Sequence, residues 1–231
     1  MTARREPISR RDRPAKPALS RQWIVDTAME IMRAEGLDKL TMRRLASELD
    51  TGPASLYVYV ANTAELHAAV LDALLGEVDL TGADTGDSWH ERLRAVLASY
   101  TAVLFGHPQL ARSALVARPS GENYLRLVER VLVLLSGSGA SREQVAWGVD
   151  KLLQDATSTA AEHSTQGNDP MAEDDWNATA QALHSVDEAT HPAITAHMPA
   201  LVGGSIDDRM RWSFNVLVTG ITQTPVPGGE D

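Results

Sequence analysis

Apolar residues recur at intervals of three and four along most of this chain, the spacing that lines up one face of an α-helix. The stripes are separated by segments rich in glycine, proline and aspartate, which end one element and begin the next. No segment alternates between apolar and polar residues for long, as a half-buried strand does. We therefore predict an all-α protein. The predicted helices span residues 20–36, 41–49, 53–60, 62–75, 89–105, 110–118, 124–135, 141–163, 173–186 and 207–222, and residues 187–205 are predicted as a loop.

Residues 40–60 contain two short helical patterns on either side of a turn. The first pattern has Leu45, Ala46 and Leu49 on one side, and the second has Leu56 and Val60 four residues apart. Asp50, Thr51 and Gly52 lie between them and are residues that favour turns. This is the outline of a helix-turn-helix, a motif whose second helix enters the major groove of DNA.

The formal net charge of −10 is unevenly distributed. Residues 1–66 carry 11 basic and 9 acidic side chains, whereas the remaining residues carry 10 and 22. This asymmetry suits a protein that contacts phosphate with one end only. Basic tails are also common on soluble proteins, so two interpretations of the disordered arm predicted over residues 1–19 stay open. The arm is solvated, or it lies along the minor groove of DNA through Arg4, Arg5, Arg10, Arg11, Arg13 and Lys16.

Composition argues against several classes of protein. The sequence has no apolar run of about 18 residues, and its start lacks the apolar centre of a secretory signal, so we expect a cytoplasmic protein with no membrane partner. It has no cysteine, which excludes disulfides and thiolate metal sites. It also lacks a phosphate-binding glycine loop, a nucleophile elbow and an HExxH motif, so we expect neither an enzyme nor a cofactor. Glu162 and His163 are better explained as a solvated helix end than as metal ligands.

The resemblance to a known family begins in the first helix and runs for some fifty residues. It is carried by AEG at 34–36, LTMRRLASEL at 40–49, the pair Leu56-Tyr57, and the pattern from Asn62 to Leu66. On these residues the chain resembles the tetracycline-repressor (TetR) family of bacterial transcriptional regulators. The second half resembles the tetracycline-repressor branch more loosely, through Ser88-Trp89, His107-Pro108, RPSGENY at 118–124, SGSGAS at 136–141 and FNVLVTGI at 214–221.

The resemblance implies a three-helix helix-turn-helix domain over residues 20–66, a larger helical ligand-binding and dimerisation domain over 67–223, and a flexible tail at 224–231. It implies a homodimer that binds a palindromic, double-stranded DNA operator and is released by a small-molecule effector, most often as a repressor. The alternative is a helical adaptor, or a small-molecule-binding protein, that makes no regulatory DNA contact.

The resemblance also makes helix 53–60 the recognition helix, and it adds Arg43 of the preceding helix as a phosphate or guanine contact. Arg44 is expected to face solvent or to pair with Glu48, and Tyr57 either reaches DNA or packs. Asp50 stands where the family usually has glycine. Thr63 stands where many members have a phosphate-binding lysine, and its hydroxyl and backbone N–H remain able to bind phosphate. The outward positions of the recognition helix are Pro53, Ala54, Ser55, Tyr57, Val58 and Tyr59.

The sequence gives less information about the residues that line the ligand pocket. Ala114 stands where the tetracycline branch has a metal-chelating histidine, which argues against a magnesium–tetracycline effector. Tyr100 and Trp147 pack in the core or contact the ligand. We expect the dimer to form through helices 141–163 and 207–222, unless their apolar stripes face the subunit's own core. The residues that the resemblance assigns to the pocket are Val96, Tyr100, Leu115, Arg118, Pro119, Arg130 and Trp147.

Overall fold

The computed structural model describes residues 18–81, 88–116, 120–166 and 170–228. Over these residues it is all-helical, as predicted, and it divides into two compact units, Met1–Asn62 and Thr63–Asp231. The predicted domain boundary between residues 66 and 67 falls inside the first helix of the second unit. The helices are α1 (Arg21–Glu35), α2 (Met42–Glu48), α3 (Pro53–Leu56), α4 (Thr63–Leu75), α5 (Trp89–Phe105), α6 (Pro108–Val116), α7 (Glu122–Ser136), α8 (Arg142–Gln166), α9 (Pro170–His184), α10 (Pro192–Val202) and α11 (Ile206–Gln223), with a 3-10 turn at Leu37–Lys39.

The first unit is built on α1, whose two ends are set by the residues that the sequence indicates. The Ser20 hydroxyl accepts a hydrogen bond from the backbone N–H of Trp23 and so caps the helix. Gly36 ends it with a φ of 92°, a conformation that residues with a Cβ rarely adopt. The apolar stripes of α1, α2 and α3 meet in one core, which contains Ile24, Ala28, Leu40, Leu45, Leu56 and Val60.

The second unit is organised around α8, which contacts α5, α6, α7 and α11. Ser141 and Gln144 start this helix by capping each other: the Gln144 backbone N–H donates to the Ser141 hydroxyl, and the Ser141 N–H donates to the Gln144 side chain. This is the capping box that the sequence predicts. Gly148 is buried in α8, and a Cβ there would lie 2.6 Å from Cγ2 of Ile221 and 2.8 Å from Cδ2 of Leu135. The missing side chain therefore lets α8 pack closely on α7 and α11.

Two predicted elements were wrong. The helix predicted over 53–60 ends at Leu56, and residues 57–59 form a turn in which the Tyr59 and Val60 N–H groups both donate to the Leu56 carbonyl. The loop predicted over 187–205 contains α10, which begins at Pro192 and carries Pro199 inside it. Proline is favoured in the first turn of a helix, so Pro192 starts an element where the sequence pattern indicated a break.

Candidate functional site

Five of the six outward positions predicted for the recognition helix form one exposed surface. Pro53, Ala54 and Ser55 are exposed on α3, and the turn after it leaves 53% of Tyr57 and 80% of Val58 accessible. Leu56 and Val60 point the other way and are buried. Tyr57 therefore does not pack in the core. The surface offers hydroxyl and methyl groups, which suit phosphate oxygens, base edges and the thymine methyl group.

The turn before α3 is held by a residue in a left-handed conformation. Asp50 has a φ of 46° and follows the last turn of α2. The N–H of Asp50 donates to the carbonyl of Ser47, and the N–H of Thr51 donates to the carbonyl of Ala46. These two bonds define a Schellman motif, in which glycine is the usual left-handed residue and aspartate is tolerated. Aspartate therefore forms this turn at position 50, where glycine is the usual residue.

The two arginines of α2 have different surroundings. The Arg44 guanidinium donates to Glu35 at 2.6 Å and to Glu48 at 2.6 Å, which confirms the predicted Glu48 pair and adds a second carboxylate from α1. These hydrogen bonds raise the pKa of Arg44, and the bond from Arg44 lowers the pKa of Glu35. Arg43 is exposed, and no hydrogen bond or ion pair joins its side chain to another described residue. Arg44 therefore ties α2 to α1, whereas Arg43 remains available to an anion.

Tyr59 differs from the other predicted DNA contacts. Its side chain is half-buried, and its hydroxyl donates a 2.6 Å hydrogen bond to the backbone carbonyl of Leu19. The hydroxyl is thus engaged by the segment that leads into α1. Sequence spacing cannot reveal this contact because the partner is a backbone oxygen forty residues away.

The remaining predicted DNA contacts and metal candidates lie elsewhere in the chain. Thr63 is exposed at the first position of α4, in the second unit. The basic arm up to residue 17 lies outside the described residues, as do Arg118 and Pro119. Glu162 is exposed, and the side chain of His163 is not among those described.

A cavity of about 120 Å³ lies between α5, α6, α7 and α8, and two of the predicted ligand residues line it. Tyr100 and Leu115 line it together with Ala114 and Tyr124. Burial raises the pKa of Tyr100. The Tyr100 hydroxyl lies 2.7 Å from Oγ1 of Thr157, which itself donates to the Leu153 carbonyl, so Tyr100 is the donor. The polar side of the cavity, which the sequence did not indicate, comes from α8 through Asp150, Gln154, Thr157 and Ser158.

Among the residues that the structure describes, the other predicted ligand residues do not line this cavity. Val96 is fully buried in the helical core, and Arg130 lies half-buried on α7. Trp147 is 60% exposed on the outer side of α8, facing away from the core. A larger groove, of about 280 Å³, lies between α5, α8 and α11 and is lined by Leu97, Thr101, Asp155, Met210, Phe214 and others.

The predicted dimer stripes lie mostly inside the subunit. On α8, only Ala146 of the predicted stripe is exposed, because Val149, Leu152, Leu153, Ala156 and Ala160 are buried against neighbouring helices. On α11, Phe214 and Val218 are likewise buried. The stripe of α8 therefore packs in the subunit's own core, whereas on α11 Met210, Leu217 and Ile221 remain half-buried. The same helices expose another face, which carries Trp147, Trp212 and Val216.

Comparisons with known proteins agree with both units. Residues 24–70 match the family described as "Bacterial regulatory proteins, tetR family", and residues 81–224 match "Tetracyclin repressor-like, C-terminal domain". An HTH-type transcriptional regulator of Saccharopolyspora erythraea is 31% identical over 210 residues, which span 90% of this chain and 87% of that protein. The repressor DrrR1 of Streptomyces coeruleorubidus is 37% identical over 134 residues, 56% of this chain and 48% of that protein. Among the described helices, none is long and apolar enough to span a bilayer.

Solved structures extend the similarity to the whole fold. A Streptomyces protein described as a transcription regulator is 74% identical, with a TM-score of 0.79 over 93% of this chain and 100% of that one. ActR of Streptomyces coelicolor, solved in complex with actinorhodin, is 31% identical, with a TM-score of 0.79 and the same coverage. With a helix-turn-helix unit and a helical C-terminal unit each matched in place, the chain belongs to the tetR family of bacterial transcriptional regulators.

Proposed function

We propose that this protein is a ligand-responsive repressor that binds a palindromic operator as a homodimer and is released by a small molecule. The observation that carries the proposal is the exposed surface of α3 and the turn after it, where Tyr57 and Val58 point to solvent while Leu56 and Val60 are buried. Large exposed side chains on a well-anchored short helix mark an interaction surface. In a helix-turn-helix, that surface is the one that meets the major groove.

In the DNA complex, α3 and the turn after it enter the major groove. Tyr57 and Ser55 donate to phosphate oxygens or base edges, and Ala54 and Val58 contact thymine methyl groups. Arg43 contacts phosphate at the groove edge, since no described side chain competes for it. Thr63 is assigned a phosphate contact through its hydroxyl and N–H.

The effector binds in the cavity lined by Tyr100, Leu115 and Tyr124. Three of its four helices, α5, α6 and α7, contact α4, the helix that follows the DNA-binding unit along the chain. The larger groove involves only one of those three, so it is the weaker candidate for control of DNA binding. Two tyrosine rings beside hydroxyl, amide and carboxylate groups suit an aromatic, hydroxylated ligand. The complex of the relative ActR with actinorhodin supports this ligand class.

The homodimer forms through the outer faces of α8 and α11. Trp147 and Trp212 are large apolar side chains left exposed on a single subunit, and such residues are enriched at interface centres. A twofold axis between these helices would bury both tryptophans of each subunit in an isologous interface. The effector then acts by favouring a spacing of the two DNA-binding units that no longer matches major grooves about 34–36 Å apart.

The test is selection of bound duplexes from a random DNA library by the full-length protein, followed by fluorescence anisotropy on the enriched sequence. We expect an inverted repeat to be enriched and its binding to weaken as salt rises. Actinorhodin, the first effector probe, is expected to release the DNA. If no sequence is enriched, the proposed DNA-binding function is wrong.

Matched variants test the site. Tyr57→Ala and Arg43→Ala should each weaken binding of the enriched duplex, whereas Leu125→Ser, an exposed change on α7, should not. Equal binding by all three variants would contradict the proposal that α2 and α3 contact the DNA.

A further inference from the structure

Asp72 and Asn123 join the last turn of α4 to the first turn of α7 in both directions. Backbone N–H groups in the first turn of a helix have no partner within that helix. Those of Asn123 and Tyr124 point at the Asp72 carboxylate, at 3.4 and 2.9 Å. In return, the Asn123 side-chain amide donates to the Asp72 backbone carbonyl at 3.0 Å, while the next three carbonyls of α4 accept from the turn that follows it. The three bonds between Asp72 and the start of α7 form the α4–α7 clasp.

The start of α7 leaves room for the carboxylate of another helix. Gly121 precedes α7 in an extended conformation, with φ −80° and ψ 175°, and has no side chain to cap it. A Cβ at this position would lie 2.1 Å from Cγ of Asp72, so the carboxylate occupies the space of the missing side chain. A serine or aspartate at an N-cap usually supplies this hydrogen bond locally. Here the cap of α7 comes from α4.

The clasp adjoins the proposed effector cavity through a single residue. Tyr124, whose N–H donates to Asp72, also lines the cavity. No described residue of α4 lines it. An occupant that displaces Tyr124 displaces the first turn of α7, and the clasp transmits that movement to the last turn of α4.

We propose that Asp72 is a positioning residue that couples the effector cavity to α4 through the backbone of Tyr124. The inference rests on the proposed function and adds a residue-level route to it. Asp72 does not line the cavity, so it acts on the response to an occupant and not on the contacts that hold the occupant. Loss of its carboxylate therefore removes coupling, which is the change that one site produces at another.

A double variant separates coupling from capping. Asp72→Ala removes the cap of α7 and the clasp together. In Asp72→Ala/Gly121→Ser, the serine has the backbone conformation of an N-cap and the space that the carboxylate has left, so it caps α7 from within its own chain segment. The double variant should regain most of the melting temperature that Asp72→Ala loses, without regaining the coupling. A double variant as unstable as Asp72→Ala would contradict the capping on which the proposal depends.

A cavity-filling change takes the place of an identified effector. Ser158→Phe adds a ring to the cavity lining from α8, a helix outside the clasp. Glu162→Phe is the matched control, because Glu162 is exposed one turn further along α8 and does not line the cavity. Ser158→Leu is the smaller alternative if the phenylalanine variant does not fold. The measurement is hydrogen exchange of the α4 backbone amides, followed by mass spectrometry on the full-length protein without DNA.

We expect Ser158→Phe to speed exchange at the end of α4 by about fivefold, the lower end of usual allosteric couplings, and Glu162→Phe to leave it unchanged. In the Asp72→Ala/Gly121→Ser background, Ser158→Phe should no longer alter α4. If Ser158→Phe acts equally in both backgrounds, or has no effect on α4 in either, the proposal is wrong.

The same variants with DNA distinguish this proposal from the proposed function. Ser158→Phe should weaken binding of the enriched duplex, and it should do so much less in the Asp72→Ala/Gly121→Ser background. Equal weakening in both backgrounds would overturn the coupling role even if DNA binding were established. A protein that binds no duplex would refute the proposed function, while the exchange result without DNA would still decide whether Asp72 couples the cavity to α4.

Discussion

The carboxylate of Asp72 on α4 accepts a 2.9 Å hydrogen bond from the backbone N–H of Tyr124 in the first turn of α7. The N–H of Asn123 also points to this carboxylate, at 3.4 Å, and the Asn123 side chain donates to the Asp72 backbone carbonyl. A side chain on one helix thus caps the start of another. In the proposed function, these are the helix that follows the DNA-binding unit and a helix that lines the effector cavity.

Removal of this cap should destabilise the second unit. We expect Asp72→Ala to cost about 1 kcal/mol, the usual loss for a helix cap. The melting temperature should fall by about 2–4 °C for a chain of this size. Gly121 offers a matched change, because a Cβ at that position would overlap the Asp72 carboxylate. Since Gly121→Ala disrupts the same contact, the double variant should be less destabilised than the sum of the two single ones, and simple additivity would contradict the cap.

The left-handed Asp50 predicts an order of stability among its variants. Asp50→Gly should keep wild-type stability or raise it by less than about 1 kcal/mol, because glycine adopts a positive φ without steric cost. Asp50→Val should lose roughly 1–2 kcal/mol, since a β-branched residue is strongly disfavoured there. Denaturant unfolding of the three proteins measures this order. A valine variant as stable as the wild type would show that the Schellman turn does not constrain the unit.

Arg43 and Arg44 form a matched pair on one helix. Arg43→Ala should leave the melting temperature unchanged and reduce the salt dependence of operator binding by about 0.9 in log–log slope, as the loss of one phosphate contact requires. Arg44→Ala should lower thermal stability slightly and leave that slope nearly unchanged, because its guanidinium is bound to Glu35 and Glu48. Anisotropy titrations and thermal melts of both variants measure these effects. If Arg43→Ala lowered the stability and Arg44→Ala reduced the salt slope, the roles assigned to the two arginines would be wrong.

The Glu35–Arg44 pair also predicts a pH dependence. The pKa of Glu35 is lowered from 4.5, chiefly by its hydrogen bond from Arg44, so its contribution is complete above the unfolded value near 4.5. That contribution is lost as the pH falls through the lower pKa of the folded state. The difference in stability between the wild type and Arg44→Ala should therefore be constant above about pH 5 and shrink below about pH 4.5. Glu35→Gln should behave like Arg44→Ala, and a gap that stays constant down to about pH 3 would contradict this.

The exposed tryptophans predict the effect of a charge on the outer face of α11. Trp212 is 69% exposed on one subunit, so Trp212→Glu should leave the subunit folded and dissociate the dimer, because the interface would bury an unpaired carboxylate. Sedimentation velocity measures the change in mass. Leu125→Glu, at an exposed apolar position of α7, is the control and should stay dimeric. A wild-type protein that sediments as a monomer would remove the basis of the proposed interface.

Much of the fold follows from local chemistry that the sequence displays. Ser20, Gly36 and the Ser141–Gln144 pair fix helix ends through short-range hydrogen bonds. These helix ends can therefore be predicted from a few neighbouring residues. The helix-turn-helix is similarly local, since Leu45, Leu49 and Leu56 define its buried side within a dozen residues. The prediction failed at the end of α3, and it failed around Pro199, because proline interrupts most helices and here lies inside one.

The sites were harder to predict because periodicity identifies an apolar face but not the partner that covers it. The apolar spacing of α8 through Val149 and Leu153 is the same whether these side chains pack within their own subunit or against a second one. Trp147 shows the reverse problem: the family resemblance implied a ligand contact, with core packing as the alternative, yet the side chain faces outward. Contacts between residues far apart in the sequence, such as Tyr59 with Leu19 and Tyr100 with Thr157, leave no periodic signal at all.

The outward surface formed by α3 and the turn after it has a chemical consequence of its own. Its most exposed large side chain, Val58, presents only methyl groups, and the face carries no guanidinium or carboxamide that distinguishes one purine from another. A cytosine methylated at C5 displays in the major groove the same methyl group that marks thymine. If the proposed contacts with thymine methyl groups form, methylation of a cytosine in the operator would change the affinity of the protein for it without any effector being present.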